Sequence, residues 1–275
     1  MSHAADRAQD PTPAFAFVGC GNLGGAILAR AVGSGALDAA RTLVCESDPA
    51  RRAQAAALGA RVSADAADAR GARTLLLAVK PQSFGDAAAR LAPLPGDALV
   101  ISVMAGWGSA AIRQALGGAA RVVRAMPNTP VQVGCGMTAI AAGAGALEAD
   151  VAEAERVFGA VGRTVRIPEE LIDAAVAAGG SGPAYLFLLA EAQEAGARAL
   201  GLDAVTARAM TVQTILGAAQ LLAQDGRDAA ALRAAVTSKG GTTAAAIAVL
   251  EQRGFAQAVA DAMRAARDRS AELGK

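Results

Sequence analysis

One short segment combines several groups that can hold an anion. Residues 236–243, "VTSKGGTT", carry four hydroxyl side chains, two glycines and one of the three lysines of the chain. Ala-rich apolar segments flank it, so we expect a turn between two helices. A helix that begins at Thr242 or Thr243, capped by one of these hydroxyls, directs free N–H groups and a positive dipole end toward the glycines. The segment predicts either a carboxylate-sized anion site or a plain turn.

A second set of glycines has the spacing of a diphosphate-binding turn. "FVGCGNLGGAI" places Gly19, Gly21 and Gly24 as G-x-G-x-x-G between a predicted strand and a predicted helix. Glycine is needed where the turn is tight and where backbone approaches a diphosphate closely. Glu46 ends the next predicted strand 22 positions after Gly24, close to the roughly 20 expected for an acid that binds a ribose hydroxyl. This pattern predicts dinucleotide binding.

The residues that follow the second strand leave the choice of cofactor open. Glu46 favours NADH, because a carboxylate binds a ribose 2′-hydroxyl. Ser47, Arg51 and Arg52 favour NADPH, because they can bind a 2′-phosphate, but the arginines also suit a solvated first turn of a helix. We predict NADPH, with NADH as the alternative.

Three further predicted strands end in turn-forming segments, "AVKPQ", "SVMAG" and "RAMPNTP". Ligands of open α/β sheets bind at the carboxyl ends of the strands, so these segments are candidate contacts or simple chain reversals. Lys80 is a stronger candidate, because the chain has few lysines and both internal ones, Lys80 and Lys239, fall in candidate loops.

The sequence lacks the residues of several other chemistries. The only histidine is His3, which excludes a histidine triad, histidine metal ligands and a histidine proton shuttle. The three cysteines, Cys20, Cys45 and Cys135, are far apart and odd in number, which predicts reduced, buried thiols and no disulfide or zinc site. We predict no metal.

Composition argues against nucleic acid and membrane as partners and predicts where in the cell the protein is found. A net charge of +1 and 3% aromatic residues do not suit a nucleic-acid binder. The charge-free run 125–147 is long enough to span a bilayer but contains Pro127, Pro130 and several glycines, so we predict no membrane span there. Residues 1–13 are polar and contain prolines, so we expect a disordered tail, no signal peptide and a cytoplasmic protein.

The first part of the chain alternates short apolar runs with helix-length segments, which predicts a parallel sheet covered on both faces. The candidate strands are 14–19, 42–46, 74–79, 98–103 and 121–126, with edge candidates at 136–142 and 163–167. We therefore predict an α/β fold with an N-terminal Rossmann-type dinucleotide-binding domain at residues 14–167.

The rest of the chain, residues 168–275, has only helical patterns. The predicted helices are 183–200, 204–224, 228–236, 243–253 and 255–273. The first two are apolar around most of their surface, a pattern that demands burial on more than one side. We predict an all-α dimerisation and substrate domain whose helices form a subunit interface.

Five motifs together resemble one known family. "FVGCGNLGGAI", "AVKPQ", "RAMPNTP", "GSGPAYLF" and "VTSKGGTT" followed by "AVLE" occur in the order seen in Δ1-pyrroline-5-carboxylate reductases, and the likeness covers nearly all of the chain after residue 14. The resemblance implies NAD(P)H-dependent reduction of 1-pyrroline-5-carboxylate to L-proline, the last step of proline biosynthesis. It also implies a homodimer through the helical domain, and dimers of the family often assemble into a decamer.

The resemblance assigns roles to individual positions. The implied substrate residues are Glu169, Ser238, Gly240, Gly241, Thr242 and Thr243, with Thr243 nearest the imine nitrogen as the catalytic residue. The predicted cofactor residues from motif and resemblance together are Gly19, Cys20, Gly21, Asn22, Leu23, Gly24, Glu46, Ser47, Arg51, Val79, Lys80, Pro81, Ala105 and Gly106. The chain departs from the family at Lys239, where proline is usual, at Ala235, where a polar residue is common, and at 226–229, which lack Glu-His-Pro.

Rival functions fit the residues less well. A protonated imine accepts hydride without a histidine base, which agrees with the single histidine. A β-hydroxyacid dehydrogenase needs a lysine that "GGSGPAYLFLLAEAQ" lacks, and a short-chain dehydrogenase needs Tyr-x-x-x-Lys, whereas Leu189 follows Tyr185 at that spacing. A catalytically silent nucleotide-sensing or scaffold protein of the same fold is the remaining alternative.

Overall fold

Eight short strands form one sheet. The computed structural model describes residues 13–273, so the predicted tail and His3 lie outside the described residues apart from Pro13. The strands are β1 (Phe15–Val18), β2 (Thr42–Cys45), β3 (Arg61–Ser63), β4 (Thr74–Leu77), β5 (Leu99–Ser102), β6 (Arg121–Met126), β7 (Gly136–Ala142) and β8 (Gly162–Arg166).

The sheet has the order β3-β2-β1-β4-β5-β6-β7-β8. Strands β1 to β6 are parallel, β7 is antiparallel to β6, and β8 is parallel to β7. The order reverses at β1, whose neighbours are β2 and β4, and ligands bind beside the carboxyl ends of strands at such a reversal. The predicted α/β class is confirmed, and the strand that prediction missed, β3, has two exposed residues and one half-buried residue.

Helices cover both faces of this sheet, as its apolar strands require. They are α1 (Asn22–Gly33), α2 (Pro49–Ala57), α3 (Phe84–Leu91), α4 (Ser109–Ala115), α5 (Glu148–Gly159) and α6 (Ile172–Ala175). One core contains Phe17, Ile27 and Phe158 between the sheet and α1 and α5. The other contains Phe84 and Ile112 of α3 and α4 with the opposite face of the strands.

The second half of the chain is helical, as predicted. A π-helical turn, Val176–Gly180, precedes α7 (Gly182–Ala199), and the remaining helices are α8 (Ala204–Gln224), α9 (Ala229–Ala235), α10 (Thr242–Gln252) and α11 (Phe255–Leu273). The side chains of Asp203 and Asp228 cap α8 and α9. Each cap satisfies N–H groups that a helix start leaves free.

Contacts divide the chain into two units. One comprises the sheet and its helices through Ser181 with the end of α11 from Ala266, and the other is Gly182–Ala265. The boundary at 167/168 rests on sequence pattern and stays a prediction. The helical stretch Glu169–Ala199 is long and apolar enough to cross a membrane by length and composition alone, and 11% of its most apolar window is buried.

Candidate functional site

The glycine turn joins β1 to α1 as the sequence predicts. Gly19 has φ +87°, and a Cβ atom there would lie 2.8 Å from the carbonyl oxygen of Ala78. A Cβ atom at Gly24 would lie 3.0 Å from the carbonyl oxygen of Gly19. Gly21 is the N-cap of α1 and no side chain caps the helix there. The turn therefore leaves the first N–H groups of α1 available to a ligand.

Glu46 binds this turn from the end of β2. Its Oε2 accepts a hydrogen bond from the N–H of Cys20 at 2.7 Å, and its Oε1 accepts from the N–H of Asp48 at 3.0 Å and the hydroxyl of Ser47 at 3.3 Å. Burial disfavours the charged carboxylate, but the N–H groups of Asp48 and Cys20 and the guanidinium of Arg51 outweigh it and lower the pKa of Glu46. Glu46 is thus an ionised anchor for the turn.

The two arginines of α2 differ in their surroundings. Arg52 donates from Nη1 to the carbonyl oxygens of Glu46 and Ser47, each at 2.7 Å, so its guanidinium fixes the end of β2. Arg51 is exposed and its Nη1 lies 3.5 Å from the position of a Cβ atom built on Gly21. Arg51 is therefore the arginine of this pair that lies beside the glycine turn.

A cavity of about 620 Å³ brings most of the predicted cofactor residues together. Its volume is typical of small-molecule sites. It is lined by Gly19, Gly21, Asn22, Leu23, Gly24, Glu46, Ser47, Arg51, Val79 and Lys80, all predicted, and also by Val18, Cys45, Ala64, Ala66, Ala78, Ser83, Asp86, Ala87 and Arg90. Cys20, Pro81, Ala105 and Gly106 are not in its lining. Prediction missed Asp86 and Arg90 because they lie within α3, where no loop motif marks them.

Two predicted cofactor loops are connected by a tryptophan. Trp107 follows Gly106, which has φ +82°, and donates its Nε1–H to the carbonyl oxygen of Pro81 at 3.2 Å. Its ring meets Phe84 edge-to-face with centroids 4.7 Å apart. The loop after β5 is thereby fixed to the loop after β4. Sequence reasoning did not select Trp107, although it directly follows "MAG" and is the single tryptophan of the chain.

The cysteines offer no reactive nucleophile at the turn. Burial, with the charge of Glu46 as a smaller cause, raises the pKa of Cys20 to about 11. Burial and the carboxylates of Asp68 and Asp65 raise the pKa of Cys45 to about 12. All three cysteines are free, as predicted, but Cys135 is exposed, so the expectation that it is buried was wrong.

Residues 236–241 of the segment "VTSKGGTT" form the turn between α9 and α10. Gly240 has φ +72°, and the N–H of Gly241 donates to the carbonyl oxygen of Ser238 at 3.0 Å. Gly241 is the N-cap of α10 and no side chain caps it, so the expectation of a threonine cap was wrong. A Cβ atom on Gly241 would lie 2.3 Å from the Ser238 hydroxyl and 3.2 Å from the Ser238 carbonyl oxygen, so a larger residue would require Ser238 to move. The first N–H groups of α10 remain without a side-chain cap.

Glu169 lies in the unit that contains the sheet, apart in sequence from the other predicted substrate residues. Its Oε1 accepts from the N–H of Ser109 at 2.7 Å and its Oε2 accepts from the Ser109 hydroxyl at 2.6 Å. Arg124 of β6 lies 3.8 Å from the same carboxylate. Burial lowers the pKa of Arg124, and the carboxylates of Glu169 and Asp173 oppose that shift. A direct contact of Glu169 with substrate stays a prediction.

Asn128 of "RAMPNTP" has a structural role that the sequence left open. Its Nδ2 donates to the carbonyl oxygen of Gly179 at 3.1 Å, and its Oδ1 accepts from the N–H of Met137 at 2.9 Å. The side chain thus links the turn after β6 to β7 and to the π-helical turn before α7.

The fold, the glycine turn and the cavity define a class of protein, the Rossmann-type dinucleotide-dependent oxidoreductases. Family models agree: one described as NADP oxidoreductase coenzyme F420-dependent matches residues 14–106, and one described as pyrroline-5-carboxylate reductase dimerisation matches residues 169–273.

Curated relatives narrow the class. A pyrroline-5-carboxylate reductase of Synechocystis is 42% identical over 260 residues, which are 94% of this chain and 97% of the relative. The enzyme of that name from Pisum sativum is 36% identical and covers 94% of each chain. The chain belongs to the pyrroline-5-carboxylate reductase family.

Solved structures have the same architecture. A pyrroline-5-carboxylate reductase from Coxiella burnetii superposes with a TM-score of 0.86 at 35% identity, over 96% of this chain and 99% of that one. The Plasmodium falciparum pyrroline carboxylate reductase, whose structure holds NADP, also gives 0.86, over 95% and 98% of the two chains. At 24% identity the latter supports the fold alone.

Proposed function

We propose that the protein is an NAD(P)H-dependent imine reductase that converts 1-pyrroline-5-carboxylate to L-proline in proline biosynthesis. The observation that carries this function is identity of 42% to a pyrroline-5-carboxylate reductase over nearly the full length of both chains. No feature of the described residues favours the catalytically silent scaffold.

The cavity residues fit a dinucleotide. A Cβ atom at Gly21 would meet only the Arg51 guanidinium, so glycine there leaves space for a diphosphate, and the uncapped start of α1 offers N–H groups to it. When bound, the reduced nicotinamide supplies a hydride to the C=N carbon of the substrate. Ser47 and Arg51 support NADPH as the preferred form, because Arg51 can pair with a 2′-phosphate whereas Arg52 already donates from Nη1 to two carbonyl oxygens.

Residues 238–243 are the proposed substrate site. The N–H groups at the uncapped start of α10 would bind the carboxylate, a charge-assisted contact favoured by the helix dipole. Ser238, Gly240, Gly241 and Thr242 shape this site. Thr243 is the proposed catalytic residue, because its hydroxyl would hydrogen-bond the ring nitrogen and orient the imine.

The helical domain supports a homodimer as the working assembly, with a decamer as a higher one. The matching family model describes a dimerisation domain, and α7 and α8 expose many large apolar side chains. A cytoplasmic location is part of the proposal.

A spectrophotometric assay tests the function. Purified protein is mixed with NADPH and the cyclic imine acid, and the loss of NADPH absorbance is measured together with the proline formed. We expect one proline for each NADPH consumed, and slower turnover with NADH. Omission of the imine is the control. Absence of proline with both cofactors, while dinucleotide binding persists, would contradict the proposal.

A further inference from the structure

A buried charge lies behind the loop that follows β5. Arg124 is 6% exposed, and its Nε and Nη2 atoms have no hydrogen-bond partner among residues 13–273. Its third nitrogen, Nη1, lies 3.8 Å from the carboxylate of Glu169. Asp173 also contributes charge, but its Oδ1 accepts a hydrogen bond from the Ser270 hydroxyl at 2.7 Å. Glu169 is therefore the acid that pairs directly with Arg124.

Glu169 also binds Ser109, the residue that follows the loop. Its two carboxylate oxygens accept the N–H and the hydroxyl of Ser109, the first residue of α4. The Ser109 hydroxyl also accepts a hydrogen bond from the N–H of Ala144 at 2.9 Å. A Cβ atom on Gly143 would lie 2.4 Å from the Cβ of Ser109, so glycine permits this close approach. Ser109 is thus held from two sides.

Ser109 directly follows the segment 104–108. This segment contains Ala105 and Gly106, the proposed cofactor contacts, and Trp107, whose indole binds the carbonyl group of Pro81. The segment lies between β5, which ends at Ser102, and α4, which begins at Ser109, so the position of Ser109 limits where the segment can lie.

We propose that Glu169 is a positioning residue for the cofactor loop: held opposite Arg124, it fixes Ser109 and thereby the backbone of Ala105 and Gly106. The role in catalysis rests on the proposed function, since it assumes that these two residues contact NAD(P)H. The role in holding the loop does not, because Trp107 reports on the loop directly. A purely structural acid would change stability without moving the loop.

Four variants separate these roles. Glu169→Ala removes both the charge and the hydrogen bonds to Ser109, whereas Glu169→Gln removes the charge but keeps an oxygen that accepts from the Ser109 N–H and an NH2 group that can donate to the Ser109 hydroxyl. Ser109→Ala removes only the hydroxyl bonds and leaves Arg124 paired. Glu170→Ala is the matched control, because Glu170 is the neighbouring exposed carboxylate. Each is measured by thermal unfolding, acrylamide quenching of Trp107, and KM for NADPH and kcat.

For Glu169→Ala we expect stronger quenching of Trp107 and a KM for NADPH about tenfold higher, with a smaller change in kcat, because the lost contacts serve binding. Glu169→Gln should unfold at a lower temperature but keep quenching and KM near those of the wild type. Glu170→Ala should match the wild type in every readout.

Equal quenching in Glu169→Ala and the wild type would overturn the proposal. It would also be overturned if, across the variants, the KM for NADPH changed with the unfolding temperature and not with the quenching of Trp107. If Glu169→Ala does not fold, Ser109→Ala decides, and unchanged quenching there overturns it too. A wild-type protein without imine reduction would remove the proposed function, while the quenching series would still test the position of the loop.

Discussion

Thr243 and Glu46 show how a single side chain acquires a role from its backbone surroundings. Thr243 lies in the first turn of α10, where Gly241 and not a hydroxyl is the N-cap. Its hydroxyl is therefore not needed to start the helix and can serve a ligand. Glu46 is the opposite case, because three donors of the protein already bind its carboxylate.

Replacement of the Thr243 hydroxyl tests its proposed role. Thr243→Ala should lower kcat for imine reduction about tenfold, equivalent to about 1.4 kcal/mol, since one hydrogen bond to the substrate is lost. Thr243→Ser keeps the hydroxyl and should retain most of the activity. The unfolding temperatures of both variants should stay close to the wild type. Full activity in Thr243→Ala would remove Thr243 from the mechanism.

Residue types and positions were predictable, but their partners were not. Spacing alone selected Glu46 as a ribose ligand, whereas the structure shows that it binds the N–H of Cys20, a contact between residues 26 positions apart. Arg52 was a candidate for a 2′-phosphate until its guanidinium was seen to bind two carbonyl oxygens. Such choices depend on side-chain geometry in the folded chain, which sequence spacing does not specify.

At the scale of elements, the β1–α1 unit combines a strained turn with a helix start that has no side-chain cap. Gly19 and Gly24 are required by the protein itself, because added side chains would meet its backbone. Gly21 differs, since its φ of −64° suits any residue and a Cβ atom there meets only the Arg51 guanidinium at ordinary contact distance. The fold does not explain glycine at this position, whereas the proposed contact with a diphosphate would.

A pair of alanine substitutions separates these reasons. Gly21→Ala should raise the KM for NADPH about tenfold or more, because a methyl group would enter the cavity, while costing no more than about 1 kcal/mol of stability. Gly25→Ala, inside α1 and absent from the cavity lining, should bind NADPH normally and gain about 0.8 kcal/mol from helix propensity. Dinucleotide titration and thermal unfolding measure both. Unchanged NADPH binding in Gly21→Ala would place the diphosphate elsewhere.

Most elements could be predicted, because hydrophobic runs and capping residues mark them locally. The predicted helices 204–224 and 228–236 begin within one residue of α8 and α9, whose first N–H groups are capped by Asp203 and Asp228. Prediction failed where the pattern is weak: β3 is only three residues long, and no local pattern marks the π-helical turn Val176–Gly180, in which Gly179 accepts a hydrogen bond from Asn128.

At the scale of the whole molecule, the unit Gly182–Ala265 exposes more apolar surface than an isolated protein favours. Phe187 and Leu188 are 62% and 67% exposed on α7, and α8 adds Val205, Met210 and Leu216. These side chains lie in the region that matches the dimerisation model. Apolar character on most sides of these helices had predicted an interface, and the proposed homodimer would cover them.

Charge introduced on this surface tests the assembly. The wild type should sediment as a dimer or larger at micromolar concentration, and the double variant Phe187→Glu with Leu188→Glu should sediment as a monomer, because burial of two carboxylates is costly. Val62→Glu is the control, since Val62 is 39% exposed on β3. A monomeric wild type would contradict the proposed dimer.

The burial of two of the three thiols should make chemical labelling of the protein selective for the third. Cys20 and Cys45 are shielded by packing, and with pKa values of about 11 and 12 they carry almost no thiolate near neutral pH. Cys135 is the solvent-facing exception. A maleimide dye added to the unmodified chain would therefore attach at Cys135. In an assembly of two labelled chains, the distance between the two dyes could then be measured without introducing a cysteine.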